Sequence, residues 1–200
     1  KLELAQTSAA TAPANRKVHL DHALTTVSGV YSAETDTTTW TLSGATADST
    51  YDTIVTSNGT VVTGFTNNAS AGTPTLTKAG NFGGLCIIGR KVTSEITLSE
   101  PFPRTPQGAP VEDGRLVLKK CIVGHRRSGP YAVEVDSQLN ANLVPTRTTS
   151  KEGTTVDNGE LFVPTAGQAR DLQITLKSDN SYPVTWTSIE WHGEYNTITE

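Results

Sequence analysis

Apolar and polar residues alternate along much of the chain. Tyr131, Val133 and Val135 alternate with Ala132, Glu134 and Asp136, and Leu172, Ile174 and Leu176 alternate with Gln173, Thr175 and Lys177. Period two puts one set on each face of a half-buried strand. Trp40 and Leu42 alternate with Thr39 and Thr41 in the same way. Ile54 and Val55 are separated from Val61 and Val62 by "TSNGT". Asn-Gly between two β-branched runs predicts a hairpin, because both residues tolerate the positive φ that a tight turn requires.

The segments "KVHLDHALTTVSGVY", "PTLTKAG" and "GGLCIIGRKVTSEITLSEPF" read as further strands. Turn residues interrupt them about every 8–12 positions, as in sandwiches and barrels. The strands lengthen after about residue 86, and "YPVTWTSIEWHGEY" supplies a last strand or pair of strands. No segment carries a helical period. Threonine is abundant and Val and Ile are common. β-Branched side chains lose rotamers in helices and pack well on pleated surfaces. The expected class is all-β, without substantial helix. A small β-barrel or sandwich-like subdomain over 17–85 precedes a larger antiparallel β-sandwich-like subdomain over 86–200. Residues 1–16 read as a short strand, Leu2 to Leu4, and a linker. Few apolar anchors fall near 137–160, so that region is expected to be an exposed loop or a ragged edge.

Composition narrows the functions. The 200 residues carry a net charge of −4, which argues against general nucleic-acid binding. No apolar run is long enough to span a membrane, and no secretory leader is evident. Methionine is absent even at position 1, so the chain is expected to be a processed product or a piece of something longer. Cys86 and Cys121 fit no metal spacing, and two buried thiols are the plain reading.

The most basic stretch is "GRLVLKKCIVGHRRSGPYAVEVD", Gly114 to Asp136. It reads as a hairpin, with strands Arg115 to Val123 and Tyr131 to Asp136 around a "GHRRSGP" turn. Arg115, Lys119, Arg126 and Arg127 could then face one ligand. The plain alternative is the solvated outside of a sheet, where cations keep strands from pairing with strangers. "HLDH", His19 to His22, invites a metal reading, but period two sends the two histidines to opposite faces. Glu190 and Glu194, near Trp186, Trp191 and Tyr195, could be paired carboxylates beside sugar-stacking rings. The plain reading there is core aromatics with solvated acids. No nucleophile elbow, phosphate loop or dinucleotide fingerprint occurs. No catalytic, cofactor or metal site is expected.

Four segments in order carry a resemblance. They are "RKVHLDHALTTVSGVYSAETDTTTWTLSG", "YDTIVTSNGTVV", the run from Gly83 to Asp136, and "LQITLKSDNSYPVTWTSIEWHGEYNT". Within them stand Gly89 to Ser99, Gly114 to Lys120, Ser128 to Val135 and Ser188 to Tyr195. Their order and spacing resemble the C-terminal part of the tail nozzle protein (tail tubular protein B) of short-tailed bacteriophages, across nearly all of 17–195.

The resemblance implies a structural virion protein located in the tail and assembled in the bacterial host cytoplasm. It implies no enzyme activity and no cofactor. The implied partners are other nozzle subunits in a hexamer, the tail adaptor protein and the tail fibres. Phage DNA would pass transiently without specific binding, and no membrane insertion is implied. Lys119, Arg126 and Arg127 then become candidate contacts to a subunit or fibre. The competing readings are a carbohydrate-binding module or polysaccharide depolymerase domain, and a hydrolase using Glu190. A glycan binder would expose Trp40, Trp186 or Trp191 on one face. A structural subunit is expected to bury at least two of the three.

Overall fold

The computed structural model describes residues 18, 20–43, 48–68, 71–102, 107, 114–137, 146–153 and 156–197. The fold is all-β, with antiparallel pairing throughout the strand ladders and one short 3₁₀ turn, Ala169–Asp171. It divides into two compact units. The first comprises Lys1–Val92 with Asn180–Tyr182, and the second Thr93–Asp179 with Pro183–Glu200.

The first unit holds β1 (Leu20–Ser32), β2 (Thr37–Thr41), β3 (Thr53–Thr56), β4 (Val61–Val62), β5 (Thr66–Asn68), β6 (Thr75–Ala79) and the start of β7 (Gly84–Thr97). The ladder order is β7-β1-β2-β6-β5, with β3 also on β7 and β4 on β3. The Asn58-Gly59 hairpin forms as expected, with Ile54 opposite Val62 and Val55 opposite Val61. Gly59 has φ +84°. The Asn58 carboxamide oxygen accepts from the Thr60 backbone N–H at 3.0 Å, which closes the turn locally.

Trp40 lies at the centre of this unit's core, fully buried among Leu42, Tyr51, Ile54, Val62, Leu76, Cys86 and Ile88. Its cross-strand partner is Gly29. A Cβ at Gly29 would stand 2.6 Å from Trp40 Nε1, so only glycine leaves room for the indole against the neighbouring strand.

The second unit stacks two sheets. One has the order β10 (Arg147–Lys151), β9 (Tyr131–Ser137), β12 (Leu172–Asn180) and then β7. The other has the order β11 (Asp157–Gln168), β8 (Gly114–Ser128), β13 (Trp186–Thr197). Cys121, Val123 and Val163 from the second sheet meet Tyr131, Val133, Val135, Ile174 and Leu176 from the first in one buried cluster. Alternation along β9 is as read from sequence: Tyr131, Val133 and Val135 are buried, and Ala132, Glu134 and Asp136 are partly exposed.

One expectation is corrected here. Arg115 to Asp136 is not a hairpin. β8 runs on to Ser128, through the residues expected to turn, and both its neighbours are other strands, β11 and β13. The chain then changes sheets at Gly129-Pro130. There the Gly129 N–H donates to Pro183 O at 2.8 Å, and proline has no N–H to offer a continuing ladder. The apolar faces of β8 and β9 therefore meet across the core instead of lying side by side. In the region near 137–160, of the two alternatives, the described residues give an edge: β10, largely exposed at the end of its sheet, and the start of β11. β10, "RTTSK", has no apolar side chain to announce it and is held by its ladder to β9.

Candidate functional site

β8 carries all the cations singled out from the sequence, and bulges decide where they point. Between the pairs Asp157–Ser128 and Gly159–His125, two residues of β8, Arg126 and Arg127, oppose the single residue Asn158. Arg127 has φ +49°, a left-handed conformation unusual for a residue with a Cβ. Its backbone N–H, displaced from the ladder, donates to the Asn158 side-chain oxygen at 2.8 Å. The Arg126 N–H donates to Thr185 O at 3.0 Å. Bulges re-aim side chains, and both arginines are exposed at this one.

Lys119 sits at another irregularity. His192 pairs with Lys120 and Gly193 with Leu118, so Lys119 is the extra residue relative to β13. Its ammonium is ion-paired with Glu194, and both side chains are exposed. Lys120 lies over the Phe162 ring, 5.6 Å from its centroid. Arg115, near the start of β8, is also exposed. Lys119 and Arg126 are seven positions apart on one strand, roughly 23 Å at strand rise. The structure therefore brings Arg126 and Arg127 together but leaves Lys119 as a separate point with its own carboxylate. One ligand facing all of them is excluded for anything shorter than that span.

Beneath the arginine bulge lies a polar group that sequence reading passed over. His125 is 7% exposed, following the buried run Cys121 to Val123 on β8. Its Nδ1 is 3.0 Å from the Tyr131 hydroxyl and its Nε2 is 3.3 Å from Asp157 Oδ1. Lys151 Nζ is 3.2 Å from the same Asp157 oxygen. The Lys151 ammonium holds the Asp157 carboxyl below the usual carboxylate range, with His125 adding to the effect. An ionised Asp157 only accepts, so Nε2 carries the proton toward it, and in the neutral ring Nδ1 accepts from Tyr131. Burial pushes the Tyr131 phenol up to about 12, so it remains a donor. The Tyr131 ring also meets Trp186 edge-on, 6.0 Å between centroids. The network ties β8, β9, β10 and β11 together directly under the exposed arginines. A lone His two positions after the apolar run Cys121 to Val123, three residues before the end of a strand, was the available signal.

The other candidates are placed as follows. His19 and the side chain of His22 lie outside the described residues. Among the described residues no group of three or more His, Cys, Asp or Glu side chains could hold a metal. Glu194 is taken up by Lys119, while Glu190 Oε2 lies 4.0 Å from His192 Nε2, and both carboxylates are exposed. Trp40 is fully buried, whereas Trp186 and Trp191 are half-buried and packed against the second core. Of the at least two buried tryptophans expected, Trp40 is buried and the other two are partly so. Cys86 and Cys121 are free thiols in different cores. Burial pushes them up to about 12 and about 11. Among the described residues no helix is long and apolar enough to cross a membrane.

The family model for the bacteriophage nozzle protein matches residues 1–199. The chain belongs to the bacteriophage nozzle family. No curated protein matches it. Membership of the nozzle family makes it a structural component of a phage tail, assembled with other tail subunits in the virion.

Proposed function

We propose that this chain builds part of the distal tail channel of a short-tailed phage. Its subunits surround the path of the ejected genome as a hexamer, below the tail adaptor, and help to seat the tail fibres. The subunit assembles in the host cytoplasm and performs no catalysis. The nozzle family match over residues 1–199 is the observation that carries this reading. A net charge of −4 suits a conduit, because a basic lining would hold phosphates and slow their passage.

Within that role Arg126 and Arg127 dock an acidic patch of a neighbouring subunit or fibre. They are adjacent and exposed, and no ion pair engages them among the described residues. The His125 network beneath them keeps the bulge in place. Lys119 is the weaker contact of the three, because Glu194 already neutralises it.

The test is Arg126→Glu with Arg127→Glu in the full nozzle protein, read by electron microscopy of rings and of fibre-bearing tails. Rings or fibre attachment should be lost, with little effect from Lys119→Glu. Normal rings carrying normal fibres would remove the docking role while leaving family membership untouched.

A further inference from the structure

The bulge that distorts β11 opens onto a cavity that the docking role does not use. Two residues of β11, Thr165 and Ala166, lie where β8 offers only Lys119, between the pairs Pro164–Lys120 and Gly167–Leu118. Ala166 has φ +45°, a left-handed backbone at a residue with a Cβ. Thr165 is 2% exposed, and its hydroxyl has no hydrogen-bond partner among the described residues. Buried polar atoms are nearly always satisfied, and backbone strain persists only where the surroundings maintain it. Both departures occur in consecutive residues and line one cavity of about 120 Å³.

The rest of the wall says what such a cavity would take. Val135 and Leu172 supply apolar surface, and Ser137 and Gln168 supply a hydroxyl and an amide. Arg147 and Asp171 line it as well, yet no ion pair joins them among the described residues. Arg147 is exposed, and the Asp171 carboxylate has only a long ion pair among the described residues, to Arg170 Nε at 4.0 Å, which leaves it able to accept from a ligand. An anion alone would be repelled by Asp171 and a cation alone by Arg147. A molecule with both charges a few ångströms apart satisfies both. The guanidinium fork matches a carboxylate, and the carboxylate accepts from an ammonium. The orphan Thr165 hydroxyl can serve either end. The volume of about 120 Å³, somewhat below the roughly 150 Å³ of a cavity that takes benzene, suits a ligand the size of a small amino acid.

We propose that this cavity is a binding site for a small zwitterion, with Arg147 on its carboxylate, Asp171 on its ammonium and Thr165 hydrogen-bonded between them. The 200-residue chain, titrated with glycine or L-alanine and followed by amide NMR, should show saturable shifts centred on Thr165 to Gln168. Acetate and ethylammonium, each half of the ligand, should bind at least about tenfold more weakly.

Thr165→Val keeps the side-chain shape and removes the orphan hydroxyl. It should leave the spectrum dispersed and the melting temperature unchanged or raised, while weakening glycine about tenfold. Arg147→Gln alters an exposed residue, so it tests binding without endangering the fold. It should abolish the preference for glycine over ethylammonium.

Four results would overturn the assignment. Glycerol could bind as well as glycine, which would make the cavity a neutral polyol site. Acetate could match glycine, which would make it an anion site. Glycine could leave the shifts unsaturated at about 100 mM, far weaker than a built site of this size gives. Wild-type affinity could survive in both variants.

Discussion

The two units bury their central rings by opposite means. Trp40 is enclosed chiefly by volume: a glycine faces it across the ladder, apolar side chains surround it, and the one polar group its indole N–H meets among the described residues is the buried Cys86 thiol. Tyr131 is enclosed by volume and by polarity, its hydroxyl opening a chain through His125 to Asp157 and Lys151. A core of the first kind depends on shape. One of the second kind also depends on every polar member keeping its partner, because a partly satisfied buried network costs more than none. The comparison can be broken from either side.

The largest expected effect is Trp40→Ala. Emptying so large a buried site costs about 3–5 kcal/mol, comparable with the whole stability of a marginal domain. Amide exchange protection should collapse in the first unit and survive at Val123, Val133 and Ile174 in the second. Equal loss in both would mean that the units do not bury their cores separately.

Tyr131→Phe is next. It preserves the ring and its edge contact with Trp186 but leaves His125 Nδ1 without a donor. It should lower the urea stability of the second unit by about 1–3 kcal/mol. A change indistinguishable from zero would show that the polar chain contributes nothing beyond packing.

The third effect is smaller and depends on pH. Asp157 titrates below 3.8 when folded and near its ordinary value when unfolded. Its contribution is therefore fully present above about pH 4 and is lost as pH falls through the lower, folded value. Lys151→Ala removes the main cause and should flatten the acid limb of the stability profile below pH 4, with little change at pH 7. Half exposure of the Asp157 side chain keeps this modest.

The smallest effects have opposite signs. Gly59→Ala should cost about 1 kcal/mol, because φ +84° suits only glycine. Arg127→Gly should be neutral or stabilising by up to about 1 kcal/mol, since it relieves a left-handed residue. A destabilising Arg127→Gly would mean that the arginine side chain, and not only its backbone, holds the bulge.

Much of the fold was legible because period two is a local signal. Strands β2, β9 and β12 were read from alternation, β6 from its turn-bounded segment, and β3 with the Asn58-Gly59 turn from residue chemistry. The reading of Gly124 to Pro130 failed for a physical reason. Glycine, proline and charge mark a turn, but they equally mark a bulge followed by a change of sheet. Alternation cannot tell whether two apolar faces lie beside each other or across from each other. β10 was missed because it is polar throughout and exists by pairing. The cations were found by composition, but their separation into one pair and one already neutralised lysine depended on registers that no local pattern encodes. Thr165 gave no sequence signal at all, because only the surrounding walls make its hydroxyl unusual.

The placement of sulfur has a chemical consequence. These 200 residues contain no thioether, and their two thiols are enclosed and kept protonated at neutral pH. Peroxide and other soft oxidants attack exposed thiolate and methionine first. A particle outside its host has no reductase to reverse such damage, and this part of its tail offers oxidants almost nothing to attack.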